Sequence, residues 1–217
     1  MPMSFSYLYE GYIVPASTLI PIIAGLAWYK KLHKATHALI IYLCIALLIN
    51  IGGILMAHRS MNNLPLLHFY TMFELVAVMW YYQRAFASKW AQRWTTIIMI
   101  VYPVLCVINF TFFQSIYQFN TYTRPLEAII IIVFSGIYLG GDGNFDNKAT
   151  NSNPGKWVAS GFLLYFCSSL FQFIFSNIVS HGASKNVKFI IWNIHATFVL
   201  IMYIFFFVAI KNERSKR

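Results

Sequence analysis

The feature that most constrains this chain is a succession of apolar runs, each about as long as a helix that crosses a bilayer. In 217 residues we count seven candidate spans, at about 11–31, 36–57, 65–86, 94–114, 121–140, 156–179 and 187–210. Each is close to the ~20 residues that cover about 30 Å of hydrocarbon at about 1.5 Å per residue. The runs are too long and too uniformly apolar for membrane β-strands. We therefore predict an all-α polytopic membrane bundle of seven transmembrane helices, forming a single domain over 1–217.

Composition supports this class and excludes two others. Only 10% of the residues are charged, with a mean hydropathy of +0.62, whereas about a quarter are charged in a soluble domain. The net charge of +10 does not indicate a nucleic-acid partner, because the basic residues form no single face and no recognised motif. The cysteines Cys44, Cys106 and Cys167 each lie within an apolar run, and their odd number argues against a disulfide framework.

The distribution of Lys and Arg predicts the orientation of the bundle. Twelve of them lie in one set of connecting segments, at about 29–34, 83–93, 141–156 and 211–217, and three lie in the other set. This predicts the N-terminus outside and the C-terminus on the cytoplasmic side of the membrane. The first run lacks preceding basic residues, so we expect an uncleaved first span. The segment 141–156 lacks the Glu that would close a calcium loop, so we expect a flexible cytoplasmic loop there.

Polar side chains inside the spans concentrate toward their predicted outer ends. Counted at about 1.5 Å per residue, six of them lie about 8–13 Å deep on six different helices: Asn50, Glu74, Asn109, Glu127, Gln172 and His195. An ionisable group in hydrocarbon usually faces the bundle interior or water and has a partner. We predict an outward-facing ligand pocket formed by Glu74, Arg124, Glu127, His195, His68, Gln172 and Asn50.

The acidic residues admit more than one interpretation. Glu74 is too deep to reach the interface, and Arg124 and His195 at similar height are candidate partners in a structural or a functional pair. Glu127 is either a first-turn acid near the surface, following Pro125, or a residue on the cavity rim that shares a helix face with Arg124. We favour the rim, because a span that starts at Pro125 would cover only about 24 Å.

The histidines allow a metal site as one interpretation. His195, the only histidine well inside a span, is either a hydrogen-bonded packing residue or a group that binds metal or moves protons. His68 and Glu74 are about 120° apart and could flank one inward arc. Together with Glu127 and His195 they would form a nitrogen and oxygen ligand set acceptable to zinc, although no HExxH or HxxxH motif occurs.

Two helix faces indicate how the sixth and second spans are oriented in the bundle. On the sixth span a polar stripe predicts a cavity wall, formed by Tyr165, Ser169, Gln172 and Ser176. On the second span a face of small residues predicts close helix packing around an amide, formed by Ala46, Asn50, Gly53 and Ala57.

The segments LHFYTMFEL, FNTYTRPLEAIIIIVFS and IIWNIHATFVLIMYI together resemble a family of small, uncharacterised seven-span bacterial integral membrane proteins. The resemblance covers most of the chain from the second span onward. It implies that a set of residues belongs together, without implying an activity: Glu74, Tyr122, Thr123, Arg124, Glu127 and His195. The chain is also similar in size and span count to seven-span metal-dependent lipid amidases, but it lacks their second histidine on the last helix.

These observations favour a membrane sensor or binding protein whose outer pocket takes a small-molecule ligand and whose signal passes to a membrane protein partner or within a homo-oligomer. The alternative is an intramembrane hydrolase that acts on lipid, with a metal or a Glu–His pair activating water. A transporter and a structural subunit of a membrane complex are further alternatives. The sequence leaves open which cofactor or metal, if any, is bound and whether the protein is an enzyme.

Overall fold

A computed structural model of the chain describes residues 8–142 and 153–215. Within these ranges the regular structure is entirely helical, and seven helices are long and apolar enough to cross a membrane. They are α1 (Tyr9–Ala27), α2 (Lys34–His58), α3 (Leu64–Ala85), α4 (Lys89–Phe113), α5 (Thr123–Gly141), α6 (Pro154–Gly182) and α7 (Lys185–Ser215). The chain is thus an all-α, multi-pass membrane protein, and the seven predicted spans are confirmed.

The helix starts follow from local sequence. Pro65 and Pro154 occupy the first turns of α3 and α6, where the missing N–H group would have no intrahelical partner. Side chains cap three other orphan N–H groups. His33 Nδ1 accepts from the N–H of Ala35 at 3.1 Å, Ser88 Oγ accepts at the start of α4, and Asn153 Oδ1 accepts at the start of α6. The helices therefore begin near the charged residues that flank the apolar runs.

The first helix is not continuous. It starts with a π-helical turn, Tyr9–Ile13, and its α-helical conformation is interrupted at Thr18 between Val14–Ser17 and Leu19–Ala27. Pro15 and Pro21 flank this interruption, and each lacks the N–H that would continue the hydrogen-bond ladder. These two prolines account for the interruption.

Pro103 does not interrupt its helix, because the α-helical part of α4, Lys89–Ile108, continues through it. The end of α4 is a π-helical turn, Asn109–Phe113. The end of α5 is a third π-helical turn, in which Gly141 has a φ of 122° that favours glycine.

Some predictions lie outside the described residues, which omit 1–7, 143–152 and 216–217. Most of the predicted cytoplasmic loop 141–156 is among them, as are three of the basic residues that predict the orientation: Lys148, Lys216 and Arg217.

The helices pack mostly against their sequence neighbours. The most extensive contact is the α6–α7 hairpin, followed by α2 with α3, α3 with α4, and α5 with α6. Helix α5 also packs on α3, and α1 packs on α2 and α7. Helix α4 lies at the outside of the bundle, with many large apolar side chains exposed. Six helices therefore surround the bundle interior.

One half of that interior is filled by aromatic side chains, which we call the aromatic plug. The plug consists of Tyr81, Tyr82, Phe86, Phe134, Tyr138, Phe162 and Phe206, all buried. Their rings contact one another mainly edge-on or tilted, the arrangement that the ring quadrupoles favour. The hydroxyl of Tyr82 is satisfied by Ser135 Oγ at 2.6 Å. This half of the bundle is closed.

Candidate functional site

The other half of the bundle contains a cavity of about 300 Å³. Its wall comes from every transmembrane helix except α4, together with the segment 118–120 that precedes α5. It lies toward the end of the bundle that carries the α2–α3, α4–α5 and α6–α7 connections. This is the less basic end, which the sequence predicts to face outside. The volume is at the lower limit of ordinary small-molecule sites.

The structure brings most of the predicted site residues to this cavity. Six of the seven line it: Asn50, His68, Glu74, Arg124, Gln172 and His195. Glu127 does not. The predicted inward arc of α3 is also present, since His68, Thr71 and Glu74 all face the cavity. That these residues bind a ligand stays a prediction.

Arg124 stands at the centre of a buried ion cluster. Its Nη1 donates to Oε2 of Glu74 on α3 and, at 2.9 Å, to Oε2 of Glu127 on its own helix. The second oxygen of Glu74 accepts from the hydroxyls of Tyr42, at 3.0 Å, and Tyr70, at 2.9 Å. The expected pairing of Glu74 with Arg124 is confirmed, whereas His195 makes no bond to Glu74. The cluster joins α2, α3 and α5 through charge-assisted hydrogen bonds.

Neither interpretation of Glu127 agrees with its position. The residue is 0% exposed, so it is not a first-turn acid near the surface. It is also absent from the cavity wall, because it lies on the side of Arg124 that faces Tyr102 and Cys106 of α4. The rim interpretation was wrong because the carboxylate pairs with Nη1 of Arg124 and does not line the cavity. Helix α5 does start before Pro125, at Thr123, as the span-length argument required. Its second oxygen, Oε1, has no hydrogen-bond partner among the described residues.

The Arg124 side chain is held on several sides but keeps N–H groups toward the cavity. Its guanidinium lies over the ring of Phe173, 4.7 Å from the centroid, and 5.5 Å from that of Tyr70. Nη2 is 3.5 Å from the Tyr165 hydroxyl, which is too long for a strong bond. Asn120 Oδ1 fixes the start of α5 by accepting from the backbone N–H of Arg124 at 3.2 Å. The guanidinium is thus held in one orientation by contacts within the protein.

His195 is positioned by Ser169. The Ser169 hydroxyl lies 2.9 Å from His195 Nδ1 and makes no other hydrogen bond among the described residues. Its proton has no other acceptor, so we assign Ser169 as the donor. In a neutral ring this places the imidazole proton on Nε2. Because His195 lines the cavity and Ser169, 1% exposed, does not, the serine orients the ring from behind.

The four-residue metal ligand set is not formed. His68 Nε2 donates to the backbone carbonyl of Gln118 at 2.9 Å, and the Glu74 oxygens are occupied as described above. In the described part of the chain, no three His, Cys, Asp or Glu side chains are grouped so as to hold a metal ion. Instead, His68 and His195 each make a separate hydrogen bond, on different helices.

Gln172 is the least explained polar residue of the cavity. Its side chain is 6% exposed and lines the wall, yet it makes no hydrogen bond within the described ranges. The predicted polar stripe of α6 is otherwise accounted for. Tyr165, Gln172 and Ser176 face the cavity, and Ser169 holds His195. A buried amide without a protein partner is costly unless water or a ligand pairs with it.

Sequence reasoning missed several residues of the wall, including Tyr42, Tyr70, Trp192 and Tyr203. Tyr70 could have been found, because it precedes Glu74 by four residues and so shares its helix face. The segment 118–120 could not, since it lies outside every apolar run. The backbone N–H and C=O of Phe119 both bond to the amide of Asn177, each at 3.1 Å. This segment forms a roof at one end of the cavity.

The arrangement can bind a ligand with hydrogen-bond acceptors, because Gln172, His195 Nε2 and the remaining N–H groups of Arg124 all face the same cavity. Among the described residues of the wall, no serine or threonine hydroxyl is paired with a histidine that could activate it. The serine nearest to a histidine, Ser169, is covered by that histidine. Comparisons with protein-family models, with curated proteins and with solved structures gave no match.

Proposed function

We propose that this chain is an integral membrane sensor or binding protein that takes a small-molecule ligand into the cavity beside Arg124. One observation carries the proposal: Gln172, buried and without a protein partner, faces a cavity of about 300 Å³. The ion cluster of Arg124, Glu74 and Glu127 then serves as a rigid wall and not as the reacting group. Preorganised donors of this kind reduce the ordering cost of binding.

The proposal includes a setting. We propose a bacterial inner membrane, with the N-terminus and the cavity outside, as the Lys and Arg distribution favours. The likeness to seven-span bacterial membrane proteins is part of the same proposal. A signal would pass to a membrane protein partner or a second copy of the chain through movement of α5 and α6, which carry Arg124 and Gln172.

The geometry supports the other candidates less well. A Glu–His pair for lipid hydrolysis would need Glu74 beside His195, and Glu74 is instead bonded to Arg124, Tyr42 and Tyr70. A transporter would need a path through the aromatic plug. A structural subunit would explain the ion cluster but gives no reason for a cavity of about 300 Å³ toward which Gln172 faces.

The test is a thermal-shift screen of small metabolites and lipids on the purified protein in lipid nanodiscs, with metal analysis of the same sample. A ligand at a hundred times its dissociation constant stabilises the folded state by about 2.7 kcal/mol. We expect at least one compound to raise the melting temperature of the wild type and to lose this effect in His195→Ala. Ile174→Met, on the exposed face of α6, is the control and should retain it.

A screen in which no compound shifts the wild type would contradict the proposal. In that case the double variant Glu74→Gln, His195→Ala should still bind its membrane partners, as a structural subunit would.

A further inference from the structure

We infer that the ligand of this cavity is an uncharged molecule that carries a carbonyl or similar acceptor oxygen on a largely apolar body. The inference rests on the proposed function and concerns the chemical class of the ligand. It follows from counting which polar groups of the wall are already paired and which remain.

An anionic ligand would need an unpaired positive charge, and the deep wall has none to offer. The cation there, Arg124, already faces the carboxylates of Glu74 and Glu127. A carboxylate or phosphate placed beside Nη2 would be a third negative group around one guanidinium in a low-dielectric interior. Like charges at such distances are strongly unfavourable there.

A cationic ligand would need a free carboxylate at the same depth, because a neutral amide oxygen supplies no opposite charge. Oε1 of Glu74 already accepts from two tyrosine hydroxyls, and Oε2 accepts from Arg124. Glu127 does not line the cavity. Glu10 lines the wall in the first turn of α1 and not at this depth.

The side chains that remain at depth can all donate a hydrogen bond. They are Gln172 through its NH₂ group, His195 through the Nε2–H that Ser169 orients, and Arg124 through its N–H groups outside the ion cluster. All three belong to the wall of one cavity, on α6, α7 and α5. Several donors around one oxygen is the arrangement that recognises a carbonyl and rejects an analogue without it.

Apolar side chains surround this donor group. Phe173 and Trp192 line the wall next to His195, with ring centroids 5.8 Å and 6.4 Å from its ring. Phe119 in the roof lies 5.9 Å from Trp192. A flat apolar body would therefore lie among aromatic rings with its oxygen toward Arg124, in the edge-on and offset contacts that such rings favour.

The test compares three probes that share a naphthalene body and differ at the polar end: acetylnaphthalene, naphthoate and naphthylmethylamine. Binding to the protein in lipid nanodiscs is measured by probe fluorescence and corrected with empty nanodiscs. We expect the uncharged ketone to bind saturably and more tightly than either ion. Gln172→Met should weaken the ketone by roughly threefold to tenfold, the effect of one lost hydrogen bond, with Ile174→Met unchanged.

Gln172 makes no bond that supports the fold, so its variant should unfold at the wild-type temperature. His195→Gln provides a second readout at a different donor. Tighter binding of naphthoate or of the amine would overturn the inferred class but leave the proposed function in place. If none of the probes binds saturably, the inferred class fails, whereas the proposed function fails only if the thermal-shift screen is also negative.

Discussion

At the scale of single residues, Glu74 and Glu127 contact the same guanidinium nitrogen but differ at their second oxygen. Glu74 uses both oxygens, whereas Oε1 of Glu127 has no described partner. Glutamine at 127 can turn its carbonyl to Arg124 and its NH₂ to the vacant side. Glutamine at 74 must direct an NH₂ at either Arg124 or the two tyrosine hydroxyls.

We therefore expect Glu74→Gln to lower the free energy of unfolding by about 2–3 kcal/mol, and Glu127→Gln by about 1 kcal/mol or less. Reversible unfolding in mild detergent measures both. A double-mutant cycle with Arg124→Gln checks that the Glu74 effect belongs to the ion pair. Equal losses for the two variants would contradict this account of the cluster.

Some contacts of these residues could be predicted from the sequence and others could not. Arg124 and Glu127 are three residues apart, so their contact follows from helix geometry. The pairing of Glu74 with Arg124 follows from the cost of a lone carboxylate at that depth. Ser169, which contacts His195, was identified only as part of a polar stripe. The rotation of α6 relative to α7 is set by packing between the helices and cannot be read from the local sequence.

At the scale of elements, the last helix extends beyond its predicted end at 210 and reaches the start of α2. Glu213 is buried, and its carboxylate accepts from the backbone N–H of His33 and from the hydroxyl of Thr36. It therefore caps α2 from a distant part of the chain. Sequence reasoning assigned this residue to a basic tail, because nothing local distinguishes a capping Glu from a solvated one.

We expect Glu213→Ala to reduce stability by about 1–2 kcal/mol and to speed amide hydrogen exchange in the first turn of α2. The neighbouring variant Arg214→Ala is the control. It removes a guanidinium that lies 4.4 Å from the centroid of the Trp28 ring but leaves the cap intact. Unchanged exchange in Glu213→Ala, or equal effects of both variants, would show that the cap does not hold α2.

The spans themselves were predictable to within a few residues, because each apolar run had to cover the bilayer. The roof at 118–120 was less accessible to sequence reasoning. It depends on contacts between distant segments, such as the two bonds between Phe119 and Asn177.

At the scale of the whole molecule, the orientation in the membrane is a prediction that labelling can test. In a background where Cys44, Cys106 and Cys167 are alanine, single cysteines are introduced by Met61→Cys and Ala87→Cys. These exposed residues lie at opposite ends of the bundle. We expect a membrane-impermeant maleimide to label the first in intact cells and the second only after lysis. The reverse pattern would place the cavity inside.

The aromatic plug bears on how a ligand could pass through the bundle. Its closely packed rings fill the interior between the cavity and the more basic end. Under the proposed function, a bound molecule would therefore enter and leave from the less basic end alone. Occupancy would then report how much of a compound is present on one side of the membrane without transporting it.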